Sequence, residues 1–357
     1  MALILRNHDL QGLLELDDYI DAVELGYREE GKGRGLNFPR KCAWFEGDGG
    51  IHADRGRQPE GLPAVKFKGA AISSMNAAGL NVYTTGMSGP LQTFQLLFDT
   101  VTGELLSIME VLYYDWFKTA AVAAVAAKYL APKGALTMAL FGSGRHARTE
   151  LHAVKRVCDL QKVQVYSRKE KPLREFCVSM SKELEIDIVP VRSPESALEG
   201  ANIVTTMTTS PTPVFSSRDL TETQVHVNAM GRHDPWAREV DDNFVVNSKV
   251  VLDDWGCGMD EAGEVLIPIA DGLMTADDIY ADIGDIISGN KPSRESDWGY
   301  SIFLSGGTGV EDAAVAKMIY DRAVANNIGE EVAFGAPYEW VMSVSYTHLT
   351  LPTNREV

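Results

Sequence analysis

The stretch TMALFGSGRHARTELHAV (residues 137–154) constrains this chain more than any other. An apolar segment runs into Gly142-Ser143-Gly144-Arg145-His146-Ala147, and a segment with helical apolar spacing follows. This is GxGxxA between a strand and a helix. The first glycine makes the tight turn, and the second lets backbone N–H groups approach a pyrophosphate at the helix N-terminus. Ala147 lets the helix pack closely on the sheet. Such a match is weak alone and gains weight from its surroundings. The pattern predicts helix 115–130, strand 136–141, helix 145–158, strand 162–167, helix 170–184, strand 186–191 and a short helix 194–199. Strands near 202–207, 224–229 and 249–253 complete the series. Alternating strands and helices specify an α/β fold with a doubly wound parallel sheet, here one that binds a dinucleotide.

The end of the second strand selects the dinucleotide. An NAD site expects Asp or Glu there, roughly 20 residues beyond the glycines. Here KVQVYSRK ends in Ser167-Arg168-Lys169. Two cations and a hydroxyl suit a 2′-phosphate, so NADP(H) is favoured and NAD(H) is the alternative. The competing reading makes Arg168 and Lys169 a solvated strand end.

The first 114 residues follow another pattern. LDDYIDAVELGYREEGKG (16–33) has the spacing of an amphipathic helix, with Asp17 or Asp18 near its start. FPRKCAWFE, LPAVKFKGAAI, GLNVYTTGM and TFQLLFDTVTGELLSIMEV read as strands of a mostly antiparallel sheet. The long helix 309–326 is expected to return to this unit. The domains are then 1–114 with 312–343, and 115–311. SYTHLTLPTNREV (345–357) has no periodic pattern and resembles a non-native tail read from adapter DNA.

Composition narrows the partners. The net charge is −17, from 33 basic and 50 acidic residues. That argues against nucleic acid or an anionic membrane, both of which demand clustered cations. There is no run of about 18 apolar residues to span a bilayer, and the N-terminus does not read as a signal peptide. Cys42, Cys158, Cys177 and Cys257 form no CxxC and stand at no zinc-like spacing from His, which suggests free thiols in a reducing cytoplasm and no metal.

In so acidic a chain the cations within apolar sequence stand out: Arg40, Lys66, Lys68 and Lys118. Period two puts Lys66 and Lys68 on one face of a strand. With Asp115 as N-cap, Lys118 falls in the first helical turn, where a cation opposes the helix dipole unless an anion binds there. The plainer reading is an exposed lysine. A carboxylate-bearing substrate, an α-amino or α-imino acid beside a nicotinamide, accounts for all four cations.

These features resemble the ornithine cyclodeaminase/mu-crystallin family over about residues 5–335. The resemblance rests on PR at 39–40, AVK at 64–66, DTVTGELL, KTAAVAAVAAKYLA, GSGRHAR, ANIVTTMTTSPTPVF, VHVNAMGRHDPWAREVD and FLSGGTGVEDAAVAKMIYDRA, in order. It implies a Rossmann-type doubly wound sheet plus an N-terminal α+β substrate and dimerisation domain, a homodimer, and a small amino or imino acid substrate. By resemblance Arg40, Lys66 and Lys118 face the substrate carboxylate or carbonyl, and Lys66 also polarises or protonates the reacting group. Thr119, Met207, Met230-Gly231 and Ser305-Gly306 lie along the cofactor.

Two departures stand out. The family usually writes RTAA where this chain has Lys118-Thr119-Ala120-Ala121, and lysine lacks the bidentate fork of arginine. The family's Asp two residues after the loop glycine is His233 here, with Asp234 next. Either His233 or Asp234 then exchanges the proton. The implied activity is hydride transfer at an amine or imine carbon. The alternatives are a cyclodeaminase that converts ornithine to proline and ammonia, and a non-catalytic NADPH-binding protein. Asn76, Asn81, Tyr83 and Trp236 are pocket candidates. Asp253-Asp254 and Glu261 read as caps without chemistry.

Overall fold

The structure is a computed structural model that describes residues 1–45, 51–53, 62–134 and 136–334. Segment 345–357 and the 335–343 part of the first predicted domain lie outside the described residues. The chain opens with β1 (Ala2–Leu5), α1 (Leu16–Gly31), β2 (Gly35–Phe45), β3 (Ile51–Ala53), β4 (Ala64–Ile72), β5 (Ala77–Thr85), β6 (Thr93–Asp99) and β7 (Leu105–Glu110). Next come α2 (Asp115–Leu130), β8 (Leu136–Phe141), α3 (Arg145–Val157), β9 (Leu160–Tyr166), α4 (Glu170–Leu184), β10 (Asp187–Pro190), α5 (Pro194–Leu198), β11 (Ile203–Thr206) and β12 (Val225–Ala229). The remainder is α6 (Asp242–Val246), β13 (Ser248–Leu252), α7 (Trp255–Glu261), α8 (Gly263–Ala270), β14 (Ile279–Asp282), α9 (Ile283–Ser288), β15 (Tyr300–Leu304), α10 (Gly309–Asn326) and β16 (Glu330–Val332).

Two sheets organise these elements. The first has the order β16-β1-β7-β6-β5-β4-β2-β3. It is antiparallel except where β1 lies parallel to β7. The second, β10-β9-β8-β11-β12-β15-β13-β14, is parallel throughout. Its chain winds outward from β8 to β10, then crosses to β11 on the other side of β8. A ligand crevice opens where the order reverses, outside the carboxyl ends of the strands. The sequence pattern marks neither β14 nor β15. The latter, YSIFL, lies between β12 and β13 and is buried at four of its five residues, so it lacks the alternation of a half-exposed strand.

Helix α2 is the hub. Ala120 to Ala127 are all buried, which explains the alanine-rich sequence: small side chains let neighbours approach on every side. Among the described residues no helix is long and apolar enough to cross a membrane. One apolar cluster joins α1, α2 and α10 to Val251 of β13 and Phe303 of β15, and so ties the two sheets together. The last helix, α10, packs on the first sheet. At Gly309 of α10 an added Cβ would run into the backbone of Gly69 in β4, and at Gly79 of β5 it would lie 3.0 Å from the Ala313 side chain. One expectation fails. Asp115 is the first residue of α2 rather than its N-cap, since Tyr114 holds that place with helical backbone angles and no side-chain cap.

Candidate active site

The glycine turn follows β8 directly. Gly142 has φ +115°, which favours glycine, and a Cβ there would lie 2.7 Å from the Met207 carbonyl oxygen just beyond β11. Gly144 is the N-cap of α3 and makes no side-chain cap, and a Cβ added there would meet nothing within 4 Å. The first N–H groups of a helix have no partner within it, and those of α3 start at Gly144, directly after the turn. Ala147 is buried under the helix. The Arg145 guanidinium lies over the Trp116 ring at 4.9 Å. His146 is pushed below the ordinary imidazole range by burial. At the end of β9, Ser167 is half-buried and Arg168 and Lys169 are exposed.

Along the same sheet edge, Met230-Gly231 follow β12 and Ser305-Gly306 follow β15. Both pairs line a cavity of about 290 Å³ closed on its far side by the first sheet. Arg40 of β2, Lys68 of β4, Asn81 and Tyr83 of β5, Lys118 and Thr119 of α2, His233 and Glu311 complete most of the wall. The alternation of the strands explains the chemistry. Lys68, Asn81 and Tyr83 face the cavity, while Phe67 points to the opposite face and is exposed.

The cavity's cations are paired with buried acids. Lys118 Nζ is 2.8 Å from Glu311 Oε1 and 3.0 Å from Asp312 Oδ1, and Lys68 Nζ is 2.8 Å from Asp312 Oδ2. Arg40 bonds Glu261 and the carbonyls of Gly306 and Gly307. Its Nε is buried without a partner among the described residues. Burial opposes the Lys118 charge, but Asp312, Glu311 and Asp115 outweigh it and hold the ammonium well above its ordinary range. Likewise burial works against the Asp312 carboxylate, and Lys118 and Lys68 hold its pKa down. Tyr27 donates to Glu311 Oε2 at 2.7 Å, and the Gly307 N–H donates to Asp253 Oδ2 at 3.0 Å. Burial, reinforced by Glu311, pushes Asp253 up to about 7.

His233 lines this cavity with its Nδ1 buried and unpartnered among the described residues. Burial, and then the Arg40 charge, lower its pKa to about 3. Burial beside Arg40 therefore favours the neutral imidazole near pH 7. Asp234 lines neither cavity, and its carboxylate holds Arg232. Lys66 lies in an adjoining cavity of about 660 Å³ that meets the first at Arg40 and His233. The lysine of β4 in the first cavity is Lys68. Trp236 lines the second cavity with Lys66. Asn76 is a turn residue at φ +49°, between β4 and β5.

Sequence reasoning missed Glu311 and Asp312, which supply the anions that Lys118 meets. One signal was present: Thr308 and Glu311 stand at capping-box spacing, and Glu311 does cap α10. Asp254 is a cap as expected, accepting from the Cys257 N–H at 2.8 Å. Asp253 and Glu261, given no chemistry in the sequence, adjoin the site.

The ornithine cyclodeaminase/mu-crystallin family model matches residues 2–327. A Delta(1)-pyrroline-2-carboxylate reductase of Bacillus cereus is 31% identical over 333 residues, 93% of this chain and all of the relative. The solved Delta(1)-pyrroline-2-carboxylate reductase of Thermococcus litoralis, in complex with NADH and L-proline, superposes with a TM-score of 0.82 at 29% identity and covers 92% of this chain and 100% of its own. An archaeal alanine dehydrogenase dimer with bound NAD gives 0.82 at 28% identity, over 93% of this chain and 99% of its own.

Proposed function

Because the chain belongs to the ornithine cyclodeaminase/mu-crystallin family, we propose that it is a nicotinamide-dependent oxidoreductase of amino acids and imino acids. One observation carries the reading: the cavity that gathers Arg40, Lys68 and Lys118 is walled by the loops after β12 and β15, on the same sheet edge as the Gly142 turn. The α3 N-terminus and Met207 would hold the pyrophosphate of a dinucleotide, and Thr119, Met230-Gly231 and Ser305-Gly306, which line the cavity, would hold its nicotinamide. The bound nicotinamide supplies or accepts hydride at the C–N carbon.

The chain's own residues do the rest. Arg40, with its unpartnered Nε, and the ammonium of Lys118 hold the substrate carboxylate. Glu311 and Asp312 fix Lys118 in place, and the strand geometry fixes Lys68 beside it. The neutral His233 orients the substrate by hydrogen bonding. A protonated imine needs no acid from the protein when hydride arrives at carbon, so a neutral histidine suits reduction. The exposed Arg168 and Lys169 receive the 2′-phosphate of NADP(H).

The first sheet buries one face under α10. Its other face presents Phe38, Phe67, Leu80 and Phe94 to solvent, a contiguous apolar surface that a second copy covers in a homodimer.

The test follows reduced-nicotinamide absorbance with NADPH or NADH, against cyclic imines and 2-oxo acids with ammonia. L-ornithine runs in parallel with ammonia release measured. Oxidation of NADPH with an imine, and a KM for NADPH raised about tenfold by Arg168→Ala, are expected. Ammonia and proline from ornithine without net cofactor change would replace this reading with the cyclodeaminase.

A further inference from the structure

The second cavity has walls unlike the first. Trp44, Trp236, Leu266 and Ile267 give it apolar sides, and Lys66 stands among them. Of the cations lining the two cavities, Arg40 has Glu261, Lys41 has Asp260 at 3.4 Å, Lys68 has Asp312, Lys118 has Glu311 and Arg238 has Asp242 at 3.0 Å. Among the described residues Lys66 has no carboxylate within 4.0 Å. Its close neighbour is the Trp44 ring, 5.2 Å from Nζ to centroid. The acids of this cavity are otherwise engaged or outside: Glu261 is on Arg40, Asp260 is on Lys41, and Asp271 is exposed. A half-buried ammonium without a counter-ion is costly, and in a chain with 50 acidic residues its lack of a carboxylate partner among the described ones is informative.

We propose that the second cavity receives the distal end of the substrate and that Lys66 is the counter-ion for a second carboxylate there. The substrate is then an amino or imino acid with a carboxylate at each end. This rests on the oxidoreductase reading above for what happens at the other end. The two cavities meet at Arg40 and His233, so one ligand can reach from Arg40 and Lys118 in the first to Lys66 in the second. With the α-carboxylate at Arg40 and Lys118, the chain passes His233 where the cavities meet. Its methylenes then lie against Trp44 and Trp236. Burial, then the Arg40 charge, hold Lys66 below the ordinary ammonium range, and a ligand carboxylate would raise it again.

Binding tests this without turnover. The full chain is titrated with glutarate and with butyrate, and binding is followed by tryptophan fluorescence, which reports from Trp44 and Trp236. Glutarate should bind at least about tenfold tighter than butyrate. Lys66→Met should collapse that ratio toward one, and Lys66→Arg should keep it. A ratio near one in the unmodified chain, or a ratio that survives Lys66→Met, overturns the proposal. The absorbance assay separates the two readings. Lys66-dependent glutarate selectivity without hydride transfer to any substrate leaves this site standing and removes the oxidoreductase. Hydride transfer with no glutarate selectivity does the reverse.

Discussion

Gly142 and Lys118 show how single residues set up the site. At Gly142 a left-handed backbone and the nearby Met207 carbonyl both exclude a side chain. Gly142→Ala is expected to weaken binding of the reduced nicotinamide cofactor by at least about tenfold through strain and a displaced turn, read by fluorescence titration. Lys118 is surrounded by anions that it alone does not balance, since Lys68 shares Asp312. Lys118→Met leaves Glu311 short of its cation inside the protein, and breaking such a buried pair costs about 3–5 kcal/mol. Urea unfolding should register that loss, and a change under about 1 kcal/mol would show that the pair is not desolvated. The cation was legible in the sequence as an oddity in an apolar stretch. Its partners were not, because Lys118 and Glu311 are 193 residues apart.

At the scale of elements, α10 matters most. Its first turn carries Thr308 as cap and Glu311 as both reciprocal cap and counter-ion to Lys118. Its start lies against the β4 backbone at Gly69. A methyl at Gly309 forces α10 off the sheet, moving Glu311 and Asp312 away from Lys118 and Lys68 together. Gly309→Ala is therefore expected to lower stability by about 1–3 kcal/mol and to raise KM for the imine substrate, checked by unfolding and steady-state kinetics. A loss of stability alone, with KM unchanged, would separate the packing of α10 from the site. Strand β4 depends on register in the same way. Its odd and even residues serve different masters, Lys66 and Lys68 toward the cavities and Phe67 toward the outer face, so a slip of one residue would exchange them.

The whole molecule carries an unusual charge inventory for its pH response. Burial, with neighbouring acids, lifts Asp253 and Asp282 to about 7 and Glu30 to about 9. Burial also lifts Glu264 to about 7. Each native carboxyl holds its proton at a pH where the unfolded chain has released it. The native state therefore binds more protons, and stability falls as pH rises through these values. His226 and His233, both lowered to about 3 chiefly by burial, act the other way. Their loss of stability comes as pH falls through the ordinary histidine value of about 6.5, so it touches only the acidic end of the range and is outweighed by the four carboxyls. The melting temperature should thus decline from pH 6 to pH 9, measured by scanning calorimetry. A rise over that range would mean that these carboxyls are ionised in the fold.

Local sequence determined the glycine turn, α2 and α10 to within a residue, the alternating βα series and the two-residue spacing of Lys66 and Lys68. Each of these depends on neighbours a few positions apart, through turn geometry, capping or periodicity. It also exposed cations that needed anions. Tertiary structure alone decided which anions these were. It sorted Lys68 and Lys66 into separate cavities and buried His233 beside Arg40, which disfavours its proton. Desolvation and ion pairing depend on what the fold brings within a few ångströms, and those partners come from β2, α2, α7 and α10, far apart in the chain.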